Sequence, residues 1–391
     1  MKKILFINFG NTINVAGGAT KVLCEMANEF VERGYDCKII CCDNTEGTLF
    51  FPLNKNIEFI NMRRSSISLY KKMKREILRS IHKLNNDKMF NEIYYDNFVK
   101  DNLFNNIVNI SPDIIISFDF QSLATMKLLK EKINVPVIEM IHTGAKYIFN
   151  DNMSDFHKNV YNFPDVIQVL IEKDIDVVKN FLPQKNVVCI PNVVSVPKQY
   201  IKTDKKCRKK IIHVGRIIEG SKRQMLLVEA FNLIKDEFPD WRVELWGGFY
   251  SKTQEQYKVT IEKFINKNYL QDRVKFMGET DNVAMKLSKA DIFAFPSKKE
   301  GFGIALAEAM AIGLPAIGYK SCSGVNTLIK SNYNGFLVDD GIEDFAQKLK
   351  LLMNDDELRV KMGENARHSM EDFSSKIIYD KWEKLILDLL E

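Results

Sequence analysis

The sequence predicts an α/β protein of two doubly wound parallel sheets in tandem, and three observations carry that expectation. The chain has 391 residues, enough at roughly 100–200 residues per domain for two separate cores. Short β-branched runs alternate with amphipathic segments, the pattern of a parallel sheet covered by helices. A polar and basic stretch, VVSVPKQYIKTDKKCRKK (193–210), interrupts the series, which then starts afresh, so that stretch reads as a linker. The domains expected are 1–197, rejoined by a terminal segment at about 374–391, and 198–373.

In the first half the expected strands are KILFINF (3–9), DCKIICC (36–42), DIIISF (113–118), PVIEMI (136–141), DVIQVL (165–170) and NVVCI (186–190). After Gly18 a helix carries Val22, Leu23, Met26, Ala27, Phe30 and Val31 on one face, and Gly34 suits its C-terminal stop. The second series runs KIIHVG (210–215), a helix over 222–238, RVELWGG (242–248), a helix over 253–268, RVKFMG (273–278) and DIFAFPS (291–297). A helix over 303–312, then LPAIGY (314–319) and GFLV (335–338), complete the sheet, with helices over 343–353 and 355–371 behind it. The last segment, SSKIIYDKWEKLILDLLE (374–391), is amphipathic and is expected to cross back to the first domain. Sheets of this kind bind ligands at the carboxyl ends of their strands, so the two domains are expected to face each other across a cleft.

Composition narrows the function classes. Hydrophobic residues make up 46% and charged residues 27%, the balance of a soluble globular protein. No apolar run approaches the ~20 residues that span a bilayer. The first apolar stretch is too short for a secretory signal, so residues 3–9 read as a buried strand and the expected location is cytoplasmic. Seven cysteines without a C-x-x-C pair argue against a disulfide framework or zinc site. Net charge is +5, but residues 63–83 carry eight basic side chains against Glu76 alone, so the rest of the chain sums to −2. In that stretch Ile67, Tyr70, Met73, Ile77, Ile81 and Leu84 recur at helical spacing. Two readings stay open for it: a basic amphipathic helix lying on an anionic membrane surface, or a solvated helix packed on its own domain. No aromatic-interleaved basic groove points to nucleic acid.

The segment PSKKEGFGIALAEAM (296–310) concentrates the chemistry. A strand ends at Phe295, a loop carries Glu300, and a helix begins near Gly303. The glycines at 301 and 303 let backbone approach a ligand, and the first helical N–H groups, from about Gly303 and Ile304, favour an anion. Glu308 lies among alanines and leucine on that helix, where a carboxylate needs donors such as sugar hydroxyls. Arg216, with Lys222 or its neighbour Arg223, stands just after a strand, where two cations would clamp a diphosphate. Gly17 and Gly18 form a tight turn before the first helix, while His142 and Asp119 each follow a strand. Asp119 reads either as an acceptor-site residue or as a helix cap. Asp174 and Asp176 have D-x-D spacing but sit at a helix start, where acidic residues are favoured without any metal.

Glu300 and Glu308 form an E-x7-E pattern, and EGFGIALAEAMAIGLPAIG closely resembles the signature of retaining glycosyltransferases of family four, within glycosyl transferases group 1. IPNVV (190–194), HVGR (213–216), ADIFAFPS (290–297), NGFLVD (334–339) and FSSKIIYDKW (373–382) match in order, and Gly17-Gly18 matches the N-terminal glycine pair. The specific part lies within about 205–385; the first domain matches mainly in layout. The resemblance implies a GT-B fold, with an acceptor-binding first domain and a nucleotide-sugar-binding second one. It implies Glu300 and His142 as catalytic residues at the donor sugar, Glu308 on the ribose, Arg216 and Lys222 on the diphosphate, and Gly301, Phe302, Gly303 and Ile304 around the sugar. The Gly17-Gly18 loop would close over donor phosphates and acceptor. Neither a metal nor another cofactor is called for.

The function implied is transfer of a sugar, with retention, from a nucleotide sugar (UDP-linked in the first instance) to a hydroxyl of a glycan or lipid-linked glycan in surface polysaccharide or lipopolysaccharide biosynthesis. Peripheral membrane contact would run through 63–83. Two rivals are a catalytically silent partner subunit and a sugar-nucleotide epimerase of the same fold. Two departures from the family pattern stand out: Trp246-Gly247-Gly248-Phe249 where a G-x-G-like turn is frequent, and Asn326 where a glutamate is common.

Overall fold

The structure is a computed structural model that describes residues 1–10, 12–62, 73, 77, 90–129, 131–196, 198–200 and 208–391. They divide into two compact units, Met1–Ile190 with Tyr379–Glu391, and Pro191–Ile378. The first unit therefore ends ahead of the 193–210 stretch that reads as a linker. The basic helix expected over 63–83 lies outside the described residues apart from Met73 and Ile77, both exposed.

In the first unit seven strands form one sheet: β1 (Lys3–Asn8), β2 (Asp36–Cys41), β3 (Glu58–Asn61), β4 (Ile114–Ser117), β5 (Val137–Met140), β6 (Val166–Val169) and β7 (Asn186–Cys189). Their order is β3-β2-β1-β4-β5-β6-β7, and every pair is parallel. Central strands of such a sheet are covered on both faces, and β4 and β6 are buried at every position. β3 is absent from the expected strands. It is an edge strand whose sequence, EFIN, has polar ends and no fully buried residue, so it lacks the apolar signal of the others. The helix Gly18–Glu32 buries Leu23, Met26, Ala27 and Phe30 and stops where Gly34 takes a φ of 89°. Residues from Tyr379 onward are fastened to this unit by Arg33, which pairs with Asp380 at 2.9 Å and Glu383 at 2.8 Å while Glu29 holds its Nε at 3.0 Å. Tyr379 adds an edge-to-face contact with Phe30.

The second unit has six parallel strands, β8 (Lys210–Val214), β9 (Arg242–Trp246), β10 (Val274–Gly278), β11 (Ile292–Phe295), β12 (Ala316–Tyr319) and β13 (Gly335–Val338), in the order β10-β9-β8-β11-β12-β13. Strand order reverses between β8 and β11, so the crevice outside their carboxyl ends is the place where this topology accepts a ligand. The helix expected over 222–238 is present as Gln224–Ile234 with a 3-10 turn Lys235–Glu237, and Arg223, at φ 50° and ψ 43°, sets it off from a separate short helix Glu219–Lys222.

The helix Ile304–Ile312 lies between two left-handed glycines, Gly303 (φ 86°) and Gly313 (φ 100°). Its carboxyl end is held by the helix Asp356–Ser369, whose Gly363 approaches so closely that a Cβ there would lie 2.2 Å from the Gly313 carbonyl oxygen. Backbone cannot yield as a flexible side chain does. Gly363→Ala should therefore destabilise the second unit by about 1–3 kcal/mol, the usual cost of overpacking. Urea unfolding checks this; an unchanged midpoint would show that the two helices separate freely.

Candidate active site

The loop after β8 is built by backbone before any side chain acts. Gly215 N–H donates to the Trp246 carbonyl at 2.9 Å and Ile217 N–H to the Gly248 carbonyl at 2.9 Å, so the β8–β9 ladder continues past both strand ends. Gly247 has φ 140°, and a Cβ on it would lie 2.1 Å from the Gly215 carbonyl oxygen. The Trp246-Gly247-Gly248 departure is thus dictated locally: only glycine lets β9's exit lie against β8's exit. Arg216, between the two tethers, is exposed, and its guanidinium enters no ion pair among the described residues.

Lys222 and Arg223 separate into different tasks. Lys222 Nζ pairs with Glu300 Oε1 at 2.5 Å and lies 5.2 Å from the centroid of Phe295, with side-chain exposure of only 17% for the lysine and 11% for the glutamate. Arg223 turns the other way. Its Nε donates to the Pro296 carbonyl at 2.9 Å, its NH1 reaches Asp340 at 3.3 Å, and its guanidinium stacks over Tyr319 at 4.5 Å. The two cations thus hold different partners: Arg223 holds the end of β11, and Lys222 pairs with Glu300. The Glu300 loop is tied to the same turn, because Lys298 N–H donates to the Ser221 carbonyl at 2.8 Å.

Around Glu300 the backbone is crowded. A Cβ on Gly324 would come within 2.8 Å of the Glu300 carbonyl and 2.9 Å of the Gly301 carbonyl. Phe302 is buried and meets Phe373 edge-on at 5.3 Å, which anchors the loop just before Gly303 and Ile304 open the helix. Glu308 is half-buried on that helix. Ser297 Oγ and Ser323 Oγ are buried polar atoms with no hydrogen-bond partner. The other departure, Asn326, donates its amide to the Lys320 carbonyl at 2.7 Å, which an ionised glutamate could not do.

In the first unit, His142 stacks on Phe118 with centroids 4.9 Å apart, and its buried Nε2 has no partner. Burial pushes its pKa down to about 4, so the ring is neutral at physiological pH. Asp119 is the helix cap: it accepts from Gln121 N–H at 2.8 Å, Ser122 N–H at 3.0 Å and Phe9 N–H at 2.5 Å, joining the ends of β1 and β4. The loop that leads to Gly17 and Gly18 is pinned by Asp43, which accepts from Thr12 N–H at 2.9 Å and Ile13 N–H at 3.0 Å. Although burial opposes it, these backbone donors, with Thr45, hold the Asp43 carboxyl below its usual range. Gly17 has φ −102°, and its added Cβ would meet nothing closer than 3.5 Å, so the fold itself does not require glycine there. Asp174 is buried and accepts from Ala145 N–H at 2.9 Å, a structural use of the first acidic residue in the D-x-D spacing. No group of three or more His, Cys, Asp or Glu that could hold a metal ion occurs among the described residues. The six described cysteines are free, and burial pushes Cys24, Cys37, Cys41 and Cys189 up to about 12, which removes them as nucleophiles.

The structure thus brings Lys222 together with Glu300 and sets Arg216 on the adjoining loop. His142, Gly17 and Gly18 belong to the first unit. Three buried side chains escaped sequence reasoning: His213, Gln224 and Glu139. The first two were legible only as a polar residue inside an apolar strand and another at a helix start.

The family described as glycosyl transferases group 1 matches residues 198–369, nearly the whole of the second unit. This segment belongs to glycosyl transferases group 1. A Haemophilus influenzae protein described as an uncharacterized glycosyltransferase is 26% identical over 389 residues, 99% of this chain and 100% of that one. A Campylobacter jejuni alpha-1,4-N-acetyl-D-galactosaminyltransferase, named for GalNAc-alpha-(1->4)-GalNAc-alpha-(1->3)-diNAcBac-PP-undecaprenol, is 26% identical over 282 residues, 71% of this chain and 75% of that one. Among solved structures, a mutant of S. aureus TarM in complex with fondaparinux, alpha-GlcNAc-glycerol and UDP superposes with a TM-score of 0.74 at 17% identity, covering 99% of this chain and 100% of that one. The fold is GT-B, two parallel-strand sheets with helices as in the TarM structure. No described helix is long and apolar enough to cross a membrane.

One titration follows from the first unit. Glu139 is 1% exposed, and one of its carboxylate oxygens has no partner. Burial pushes its pKa well up, a Ser117 hydrogen bond opposes this, and nearby Asp119 adds to it. A raised folded pKa means that the contribution of the neutral acid is fully present below the unfolded pKa and is lost as pH rises through the folded value. Glu139→Gln should therefore gain melting temperature over the unaltered protein progressively as pH is raised from 5 to 9. A difference independent of pH would contradict the raised Glu139 pKa.

Proposed function

We propose that this group 1 glycosyltransferase moves a sugar, with retention at the anomeric carbon, from a UDP-sugar to a hydroxyl of a glycan or lipid-linked glycan in surface polysaccharide assembly. The observation that carries the reading is the Lys222–Glu300 pair at the switch point of the second sheet, with the exposed Arg216 on the loop after β8. The known relatives add weight through what they are named for: UDP in the TarM complex and an undecaprenol-linked glycan in the Campylobacter protein.

In this reading Arg216 and Lys222 take the diphosphate. Two cations against a doubly charged leaving group stabilise the charge that grows as the glycosidic bond breaks, without requiring a metal ion. The N–H groups at Gly303 and Ile304, at the positive end of the Ile304–Ile312 helix, add partial charge of the same sign. Glu308 accepts the ribose hydroxyls. Glu300, released from or shared with Lys222, accepts sugar hydroxyls and fixes the anomeric carbon, with Gly301 and Phe302 shaping the loop. The first unit takes the acceptor through the loop carrying Gly17 and Gly18, and the neutral, partnerless Nε2 of His142 serves the transferred sugar. On the same face as the leaving phosphate, the acceptor oxygen forms a bond to the anomeric carbon as the carbon–phosphate oxygen bond breaks. The acceptor's proton passes to that phosphate oxygen, so charge and atoms balance with no protein nucleophile.

Two experiments test this. Glu300→Gln keeps size but loses charge, and should lower turnover of the preferred nucleotide sugar by roughly 10²–10³-fold, the usual effect of removing one electrostatic contact to a transition state; undiminished turnover would remove Glu300 from the chemistry. A thermal-shift screen with UDP-, GDP- and ADP-sugars should show stabilisation by the UDP class, about 2.7 kcal/mol at a hundred times the dissociation constant, and its loss in Glu308→Ala. Equal stabilisation in that variant would contradict the ribose assignment.

A further inference from the structure

Beneath Arg216 lies a buried polar relay with no part in the reading above. His213 sits within β8 and is fully buried, as is Gln224, the first residue of the helix Gln224–Ile234. His213 Nδ1 is 2.9 Å from the Ala294 carbonyl of β11. A carbonyl only accepts, so the proton is on Nδ1, and Nε2 presents a lone pair. That lone pair faces Gln224 Nε2 at 3.2 Å, and the same amide nitrogen donates its other proton to the Arg216 carbonyl at 2.8 Å. The chain of donors is consistent from end to end: histidine to Ala294, glutamine to histidine, glutamine to Arg216. Gln224 Oε1 has no partner, so the side chain is held by its donor bonds alone.

The relay bonds the backbone of Arg216 and lies close to the stem of Lys222. A Cβ on Gly215 would meet His213 Nε2 at 3.3 Å and the Lys222 stem at 3.5 Å, so the histidine, the loop and the lysine are packed against one glycine. His213 also stacks on Phe295, the ring over which Lys222 Nζ lies. Burial keeps the imidazole neutral, with a pKa pushed down to about 4, so it adds no third positive charge beneath the two cations. The left-handed turn at Arg223 stands between Lys222, which pairs with Glu300, and Gln224, which is buried.

We propose that His213 and Gln224 are positioning residues for the donor diphosphate: through the Arg216 carbonyl and the Gly215 contact they set where Arg216 and Lys222 stand. This rests on the donor-site reading given above. Without the glutamine donor the Arg216 carbonyl loses its bond to the core and the His213 lone pair is left buried and unpaired.

The test compares the unaltered protein with Gln224→Leu, which keeps volume and removes the donor, and with His213→Asn, which retains a donor for Ala294 but gives Gln224 no acceptor at the Nε2 position. UDP affinity is measured by calorimetry, with KM and kcat for the UDP-sugar on whichever variants retain the melting transition. The expected result is a dissociation constant and KM raised about tenfold, one hydrogen bond's worth, with kcat changed less than twofold. Folded variants that bind UDP as the unaltered protein does would overturn the proposal, as would a fall in kcat with KM unchanged. Failure of the unaltered protein to bind UDP, GDP or ADP would instead remove the donor-site reading beneath it.

Discussion

Arg223 holds a left-handed backbone that costs a residue with a Cβ about 1–2 kcal/mol, and the second unit's site is arranged around that turn. The cost is offset locally. A charged hydrogen bond to the Pro296 carbonyl contributes about 1.5–3 kcal/mol, and the guanidinium also lies 4.5 Å over the Tyr319 ring. What the turn achieves is a separation of three consecutive side chains. Lys222 leaves towards Glu300, Arg223 ties down the end of β11, and Gln224 enters the core beneath Arg216. A regular helix would advance each by about 100° around a single axis, and one short segment could not then serve a ligand-facing ion pair, a strand terminus and a buried relay together.

The first unit solves a comparable problem with carboxylates. Asp119 gathers the N–H groups of Phe9, Gln121 and Ser122, and Asp43 those of Thr12, Ile13 and Thr45. Each fixes a loop at the carboxyl edge of the sheet by satisfying backbone donors that would otherwise be buried unpaired. Their environments differ in consequence. Hydrogen bonds win at Asp43, whose carboxyl is held below its usual range, whereas burial wins at Asp119, which is pushed up. Glu139 continues that trend, its carboxyl pushed well up by burial with Asp119 adding to it. Rigid loops on a buried polar foundation are what a site needs in order to hold groups within a fraction of an ångström of a productive geometry.

Twelve of the thirteen strands among the described residues were legible in the sequence, because runs such as IIIS and IFAF are apolar on both faces and parallel sheets demand that. β3 was not, since an edge strand with a glutamate and an asparagine at its ends carries little hydrophobic signal. The helix break at Arg223 was illegible for a different reason: no glycine or proline marks it, and the conformation is imposed by tertiary bonds to Pro296, Asp340 and Tyr319. Glu300 and Lys222 could be singled out from motif spacing, but not their mutual pairing, which depends on how β8 and β11 neighbour each other. His213 and Gln224 could not be joined at all from sequence, because a buried histidine is more often a satisfied core residue, and only the placement of Ala294 and Arg216 shows what satisfies it.

The measurement that bears most directly on the donor site is a crystal structure of the protein with UDP. The expected result places the diphosphate within hydrogen-bond distance of the Arg216 guanidinium and Lys222 Nζ, with the ribose hydroxyls on Glu308. UDP bound without contact to either cation, or held by the first unit alone, would contradict the assignment of the β8–β11 crevice as the place where the leaving group is held.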